Sequence, residues 1–154
     1  NPITKNVYLW AIKYFDLSHH PSSDIVFEWE KLFVLEGASA PYLQYTFART
    51  QSVIAKTAKA PSVKEAAILN SEEEALLRLL ARFSRIVEAA AQAFSPNLLC
   101  TFLFELAQTY NAFYNKHKII GSDQEALRLS LTSATGHIVK NGLTLLGIET
   151  PKRM

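Results

Sequence analysis

The sequence has one cysteine, Cys100, and one methionine, Met154. A lone thiol excludes an internal disulfide framework and any zinc site built from several cysteines. It fits a reducing compartment, so the cytoplasm is the expected location. Glycine occupies 5 positions and proline 6, too few for a low-complexity or disordered chain that is 49% hydrophobic. No apolar run reaches the ~18–20 residues needed to span a bilayer, so no membrane partner is expected. An initiator methionine and a signal-like segment are also missing, and the chain, opening on Asn1, reads as a piece of something longer. Strong net charge is missing as well: +2 over 154 residues makes no case for nucleic acid by itself.

Active-site spacing is absent too. There is no Gly-rich phosphate loop, no Ser/His/Asp arrangement and no H-E-x-x-H helix. His19 and His20 sit side by side among Ser and Pro with no further ligand at useful spacing, so they read as solvated loop histidines rather than a metal site. His137 reads as a helix-surface histidine, and Cys100, at the start of an apolar helix, as a small core residue. The expectation is a chain with no catalytic residues and no metal or cofactor of its own.

What is present is helical period over nearly the whole length. A first helix is predicted from about Thr4 to Leu17, with Val7, Trp10, Ala11, Tyr14 and Phe15 inward. A loop follows over His19–Asp24, then a short extended strip, Ile25–Trp29, lying against the domain. Gly37 is free to take positive φ in a tight loop, and Pro41 suits the first position of a helix running to about Lys59. Three helices complete the chain. Ser71 with Glu74 has capping-box spacing ahead of a stripe of Leu76, Leu79, Leu80, Phe83, Ile86, Val87 and Ala90. Ser95-Pro96 opens the next, with Leu99, Phe102, Leu103, Leu106, Tyr110 and Phe113 inward. Ser122 with Glu125 repeats the box before Leu127, Leu131, Ala134, Ile138 and Leu145, and Gly147 is the residue that ends the helix. Long helices with short connections predict an all-α, antiparallel helical bundle. Residues 1–30 form its opening helix and strip, and residues 31–154 its core.

Charge is unevenly distributed. Residues 1–75 carry seven Lys/Arg against nine Asp/Glu, and residues 76–154 nine against five. The second half therefore stands at +4, which suits a partner with phosphates or is simply a solvated surface. Arg78, Arg82 and Arg85 make one basic helix face, with Glu74 placed to pair with Arg78.

Two stretches are more particular than generic helix. One is Leu35-Glu36-Gly37-Ala38-Ser39-Ala40-Pro41-Tyr42-Leu43-Gln44-Tyr45 followed by Thr46-Phe47-Ala48-Arg49, with Asp16-Leu17-Ser18 and Phe27-Glu28-Trp29 upstream. The other runs from Arg128-Leu129-Ser130-Leu131 through Asn141–Ile148 to Pro151-Lys152-Arg153-Met154. Between them lie Leu106-Ala107 and Tyr110-Asn111-Ala112-Phe113-Tyr114. Together they closely resemble the DALR-type helical anticodon-binding domain of class I arginine–tRNA ligases, and the resemblance covers essentially the whole chain.

The resemblance implies a domain that grips the anticodon stem-loop of tRNA(Arg), and RNA rather than DNA. Unpaired loop bases are read by stacking on aromatic rings and by hydrogen bonds to their edges. Arginine anticodons share a middle cytosine, and the resemblance places Tyr45, Arg49, Tyr114 and Met154 around that base. Gly37 and Ser39, in the loop before the helix, and Lys116, Lys118, Lys152 and Arg153 become candidates for the RNA backbone. Tyr42 and Gln44 read as packing residues. The sequence departs from the family pattern at Lys118, where some members carry a second aromatic, and at Ser84, where many carry proline. The ATP-site signatures H-I-G-H and K-M-S-K-S do not occur. ATP and Mg are therefore expected only in a full-length enzyme, whose catalytic domain would be this segment's partner.

Without the resemblance, Tyr45 and Tyr114 read as core-edge tyrosines, Arg49 as one half of an ion pair, and Met154 as a chain end. A second reading of the whole chain is a helical protein–protein docking module, which predicts an exposed apolar patch and no salt-dependent RNA affinity.

Overall fold

The computed structural model describes residues 2–26, 37–59, 61–62 and 68–151. Among these the chain is all-α, with five helices and no strand: α1 (Pro2–Leu17), α2 (Ala40–Ala55), α3 (Ser71–Gln92), α4 (Asn97–Lys116) and α5 (Glu125–Leu145). α3 and α4 form a tight helical hairpin, α2 lies along α5, α5 also touches both arms of the hairpin, and α1 leans on α2 and α4. The core lies where these faces meet. Leu103, Leu106, Tyr110 and Phe113 of α4 are fully buried in it, each worth roughly 1.5–3 kcal/mol of hydrophobic burial.

Trp10, Ala11 and Tyr14 of α1 point inward as their spacing predicts, and the Tyr14 hydroxyl donates to the Cys100 carbonyl at 3.1 Å. The expected inward Val7 is outside the described side chains. Loop 19–24 is irregular, and Ile25 and Val26 are exposed rather than laid against the domain. The rest of the predicted strip, with Phe27–Trp29, lies outside the described residues.

α2 begins one residue earlier than predicted, with Pro41 second in the helix, because the Ser39 hydroxyl caps it by accepting the Tyr42 N–H at 3.3 Å. It stops at Ala55 rather than near Lys59. The Thr57 hydroxyl and Lys59 ammonium instead reach the Glu125 carboxylate at 3.1 and 2.7 Å, which draws the chain out of helical register.

The capping boxes depart from expectation for related reasons. On α3 the box forms between Asn70 and Glu73, not Ser71 and Glu74. Asparagine caps as well as serine, and Glu73 is also drawn inward by Arg128, its Oε1 accepting from Nε at 2.8 Å. Glu74 stays outside and pairs with Arg78 as anticipated. Ser95 does not cap α4; its hydroxyl donates to Ala93, and Pro96 occupies the position. Ser122 and Glu125 form no box either. The Ser122 hydroxyl donates back to Ile119, while Glu125 is engaged by Lys59, Thr57 and the Gly121 N–H.

The buried face of α5 is the largest correction. Leu131 is buried, but Leu145 is 61% exposed, and the inward row is Leu129, Thr132, Gly136, Val139 and Leu143. The threonines can be buried because each hydroxyl donates to the carbonyl four residues earlier, Thr132 to Arg128 and Thr135 to Leu131 at 2.8 Å. Glycine is needed where α5 meets its neighbours. A Cβ at Gly136 would stand 2.5 Å from the Thr50 hydroxyl, and one at Gly142 2.6 Å from Leu103. α5 ends as predicted at Gly147, φ +69°, with the Ile148 N–H bonded to Leu143 and the Gly147 N–H to Thr144.

Candidate functional site

Residues four apart on a helix share a face, and on α2 that spacing brings Tyr45 and Arg49 together. Leu43 and Phe47 hold the opposite side of α2 in the core, which leaves Tyr45 47% exposed and Arg49 partly so. From α4, Tyr114 approaches the same point. The Arg49 guanidinium lies 4.9 Å from the centre of the Tyr45 ring and 4.7 Å from that of Tyr114. One Arg49 nitrogen donates to the Asn111 side-chain carbonyl at 2.6 Å, and another to the Tyr45 hydroxyl at 3.2 Å. Among the described residues no carboxylate pairs with Arg49.

Asn111 had no role in the sequence reading, though it sits three residues before Tyr114 on the same helix face. Its amide nitrogen donates to the Tyr42 hydroxyl and to Thr46 Oγ1, both at 3.0 Å. The Tyr42 ring meets Phe104 edge-on. Asn111 thus locks α4 to α2, and its remaining oxygen aims the guanidinium. Gln44 is fully buried and donates to the Glu149 carbonyl at 2.7 Å, which lays the C-terminal tail onto α2 one residue from Tyr45. Met154, Lys152 and Arg153 lie outside the described residues.

Of the backbone candidates, Gly37 is exposed with φ +99°, and Ser39 is buried under its own cap. Lys116 is paired with Glu72, whose other oxygen faces His117 Nε2 at 3.2 Å. Lys118 is exposed, and its carbonyl accepts from Arg128 at 2.6 Å. His19 and His137 bond the carbonyls of Phe15 and Ser133, and burial pushes the Cys100 thiol up to about 12. Among the described residues no group of three or more His, Cys, Asp or Glu side chains is placed to hold a metal, and no helix is long and apolar enough to cross a membrane.

The Lys116 ammonium, then Ser71 and His117, hold the Glu72 carboxyl down at about 2 against its usual 4.5, and Lys59 and the Gly121 N–H lower Glu125. A carboxylate with a lowered folded-state pKa contributes stability that is present above about 4.5 and lost as pH falls toward 2. Thermal midpoints measured across that window should fall with pH. Glu72→Gln should show a flatter fall, and an unchanged profile would mean the pair adds nothing.

The DALR anticodon binding domain family matches residues 43–154 of this chain. Among similar curated proteins, an arginine–tRNA ligase of Vibrio parahaemolyticus is 39% identical over 99% of this chain and 27% of its own length. One of Rhodopirellula baltica is 37% identical over 99% and 25%. Among solved structures, the arginyl-tRNA synthetase of Thermus thermophilus superposes with a TM-score of 0.89 at 30% identity, over 97% of this chain and 27% of that one. That of Plasmodium falciparum gives 0.90 at 25% identity, over 99% and 28%. The chain spans about a quarter of the length of these relatives.

Proposed function

The chain belongs to the DALR anticodon-binding domain family, and from that premise we propose that it grips the anticodon stem-loop of tRNA(Arg) as the recognition module of a cytoplasmic arginine–tRNA ligase. The observation that carries this reading is the Arg49 guanidinium held against both the Tyr45 and Tyr114 rings at the surface. A guanidinium fixed by Asn111 against two rings makes a preformed site that offers ring faces for stacking and hydrogen-bond donors at its edge. Those are the two things a splayed loop base needs. Met154 closes the pocket in this proposal, and Gly37 and Lys118 meet the backbone.

In the same reading the whole enzyme joins arginine to tRNA with ATP and Mg at a separate catalytic domain, and residues 1–154 act as one helical module. This segment supplies affinity and specificity, not chemistry. The docking alternative predicts an exposed apolar patch, and there is one: Phe94 is 86% exposed and lines a cleft of about 360 Å³ with Leu145 and Leu99. Leu99 is fifteen residues from Tyr114 on α4, or about 22 Å, so a contact there leaves the Arg49 platform open.

The test is binding of an arginine anticodon hairpin against the same hairpin with its middle cytosine replaced, at two salt concentrations. The proposal expects roughly five- to a hundredfold discrimination, the ~1–3 kcal/mol that hydrogen bonds to one base edge supply. Equal binding of both hairpins would remove the base-reading role, and absence of binding would favour docking.

A further inference from the structure

Gln44 is wholly buried on α2, directly before Tyr45. Its amide nitrogen donates to the Glu149 carbonyl, 105 residues away, at 2.7 Å, and its Oε1 has no partner among the described residues. The chain beyond α5 is held at two further points. Gly147, at φ +69°, turns it out of the helix, and the Gly147 carbonyl accepts from the Lys13 ammonium of α1 at 3.0 Å. The Ile148 side chain is buried in the core. The last residues of a domain ordinarily fray, yet residues 147–149 of this one are tied down one after another.

Stability alone does not account for Gln44. A buried amide whose oxygen goes unpaired gives back much of what its one hydrogen bond contributes, and an apolar side chain of the same length fills the space without that penalty. Glu149 is exposed, so its carbonyl has water as an alternative partner. What the bond does fix is where the tail crosses α2, at the residue preceding Tyr45. From Glu149 the five residues to Met154 can span up to about 17 Å of extended chain, well beyond the ~6 Å rise of α2 from Tyr45 to Arg49. We infer that Gln44 is a positioning residue for base recognition: its bond to Glu149 fixes the point from which the last residues of the chain close over the loop base at Tyr45 and Arg49. Gln44 itself touches no base. The tail is a wall of the site, registered on α2, and the loss of one buried donor changes selectivity. The inference rests on the function proposed above and names a residue through which that site is set.

The experiment measures affinity for the arginine anticodon hairpin and for the same hairpin with its middle cytosine replaced. It compares the whole 154-residue chain with Gln44→Met, and both with counterparts shortened to end at Ile148. Gln44→Met keeps the length of the side chain and loses the donor. It should bind the cytosine hairpin about fivefold more weakly, the worth of one hydrogen bond, and the altered hairpin as wild type does. Its thermal midpoint should stay within about 3 °C of wild type, because the unpaired acceptor goes with the donor. In the shortened chain the same substitution should change neither affinity, since nothing remains for Gln44 to hold. A purely structural role would weaken both hairpins, and an equal loss in full and shortened chains overturns the inference. Unchanged cytosine preference in Gln44→Met also overturns it and leaves the proposed function standing. A wild type without that preference overturns both. If the shortened chains do not fold, hydrogen exchange at the Glu149 and Thr150 amides decides, and exchange no faster in Gln44→Met than in wild type overturns the inference. If Gln44→Met does not fold, the shortened wild-type chain decides, and full cytosine preference there overturns it.

Discussion

Arg49→Ala is expected to weaken anticodon-hairpin binding about a hundredfold while costing the fold only about 1 kcal/mol. The guanidinium supports two rings, and in the proposed complex it carries a base whose stacking alone is worth ~1–3 kcal/mol, where 1.4 kcal/mol is a factor of ten. The fold loses little because Asn111 keeps its amide bonds to Tyr42 and Thr46, which hold α2 to α4 without Arg49. Arg49→Lys should recover little of the loss. Lysine keeps the charge but not the plane that lies against both tyrosines or the fork that reaches Asn111 and Tyr45 together. Tyr114→Ala should show a comparable defect and Tyr114→Phe a small one, since stacking needs the ring and not the hydroxyl. Titration of labelled hairpin, with circular dichroism of each variant, measures both quantities. Wild-type affinity in Arg49→Ala would sink the platform.

The largest loss of stability should come from Arg128→Ala. Glu73 is wholly buried, and it holds two commitments: its Oε2 accepts the Asn70 N–H that starts α3, and its Oε1 accepts from Arg128 of α5. Deleting one partner of a buried pair leaves the other charge unpaired and typically costs ~3–5 kcal/mol. At about 2–4 °C per kcal/mol for a domain of this size, the thermal midpoint should fall by roughly 10 °C. Arg128 also donates to the Lys118 carbonyl, so the same change frees the segment that follows α4. The double variant Glu73→Gln with Arg128→Met should unfold at a higher temperature than Arg128→Ala, because it removes the orphaned charge and keeps a cap on α3. A midpoint within 2 °C of wild type for Arg128→Ala would show that the pair contributes nothing.

Local chemistry was legible wherever one helix face decides the outcome. The apolar period of α4 named every one of its six predicted inward residues, and a glycine followed by isoleucine announced the end of α5, because burial on a single face and positive φ are both written locally. Tyr45 and Arg49 share a face for the same reason, and the family resemblance added Tyr114 from a helix more than sixty residues away.

Other features depended on partners distant in the chain. The α3 box moved to Asn70 and Glu73 because Arg128 reaches Glu73 from α5, and the Ser122 box gave way because Lys59 and Thr57 claim Glu125. The inward face of α5 was misread because its closest approaches use threonine and glycine, which carry no hydrophobic signal. Asn111 looks like an ordinary polar helix residue until α2 and α4 are set side by side. The sequence by itself determined where helices form, since propensity and helical period are short-range properties. Only the tertiary structure decided which charges meet, because that depends on which helix ends the packed core brings within reach.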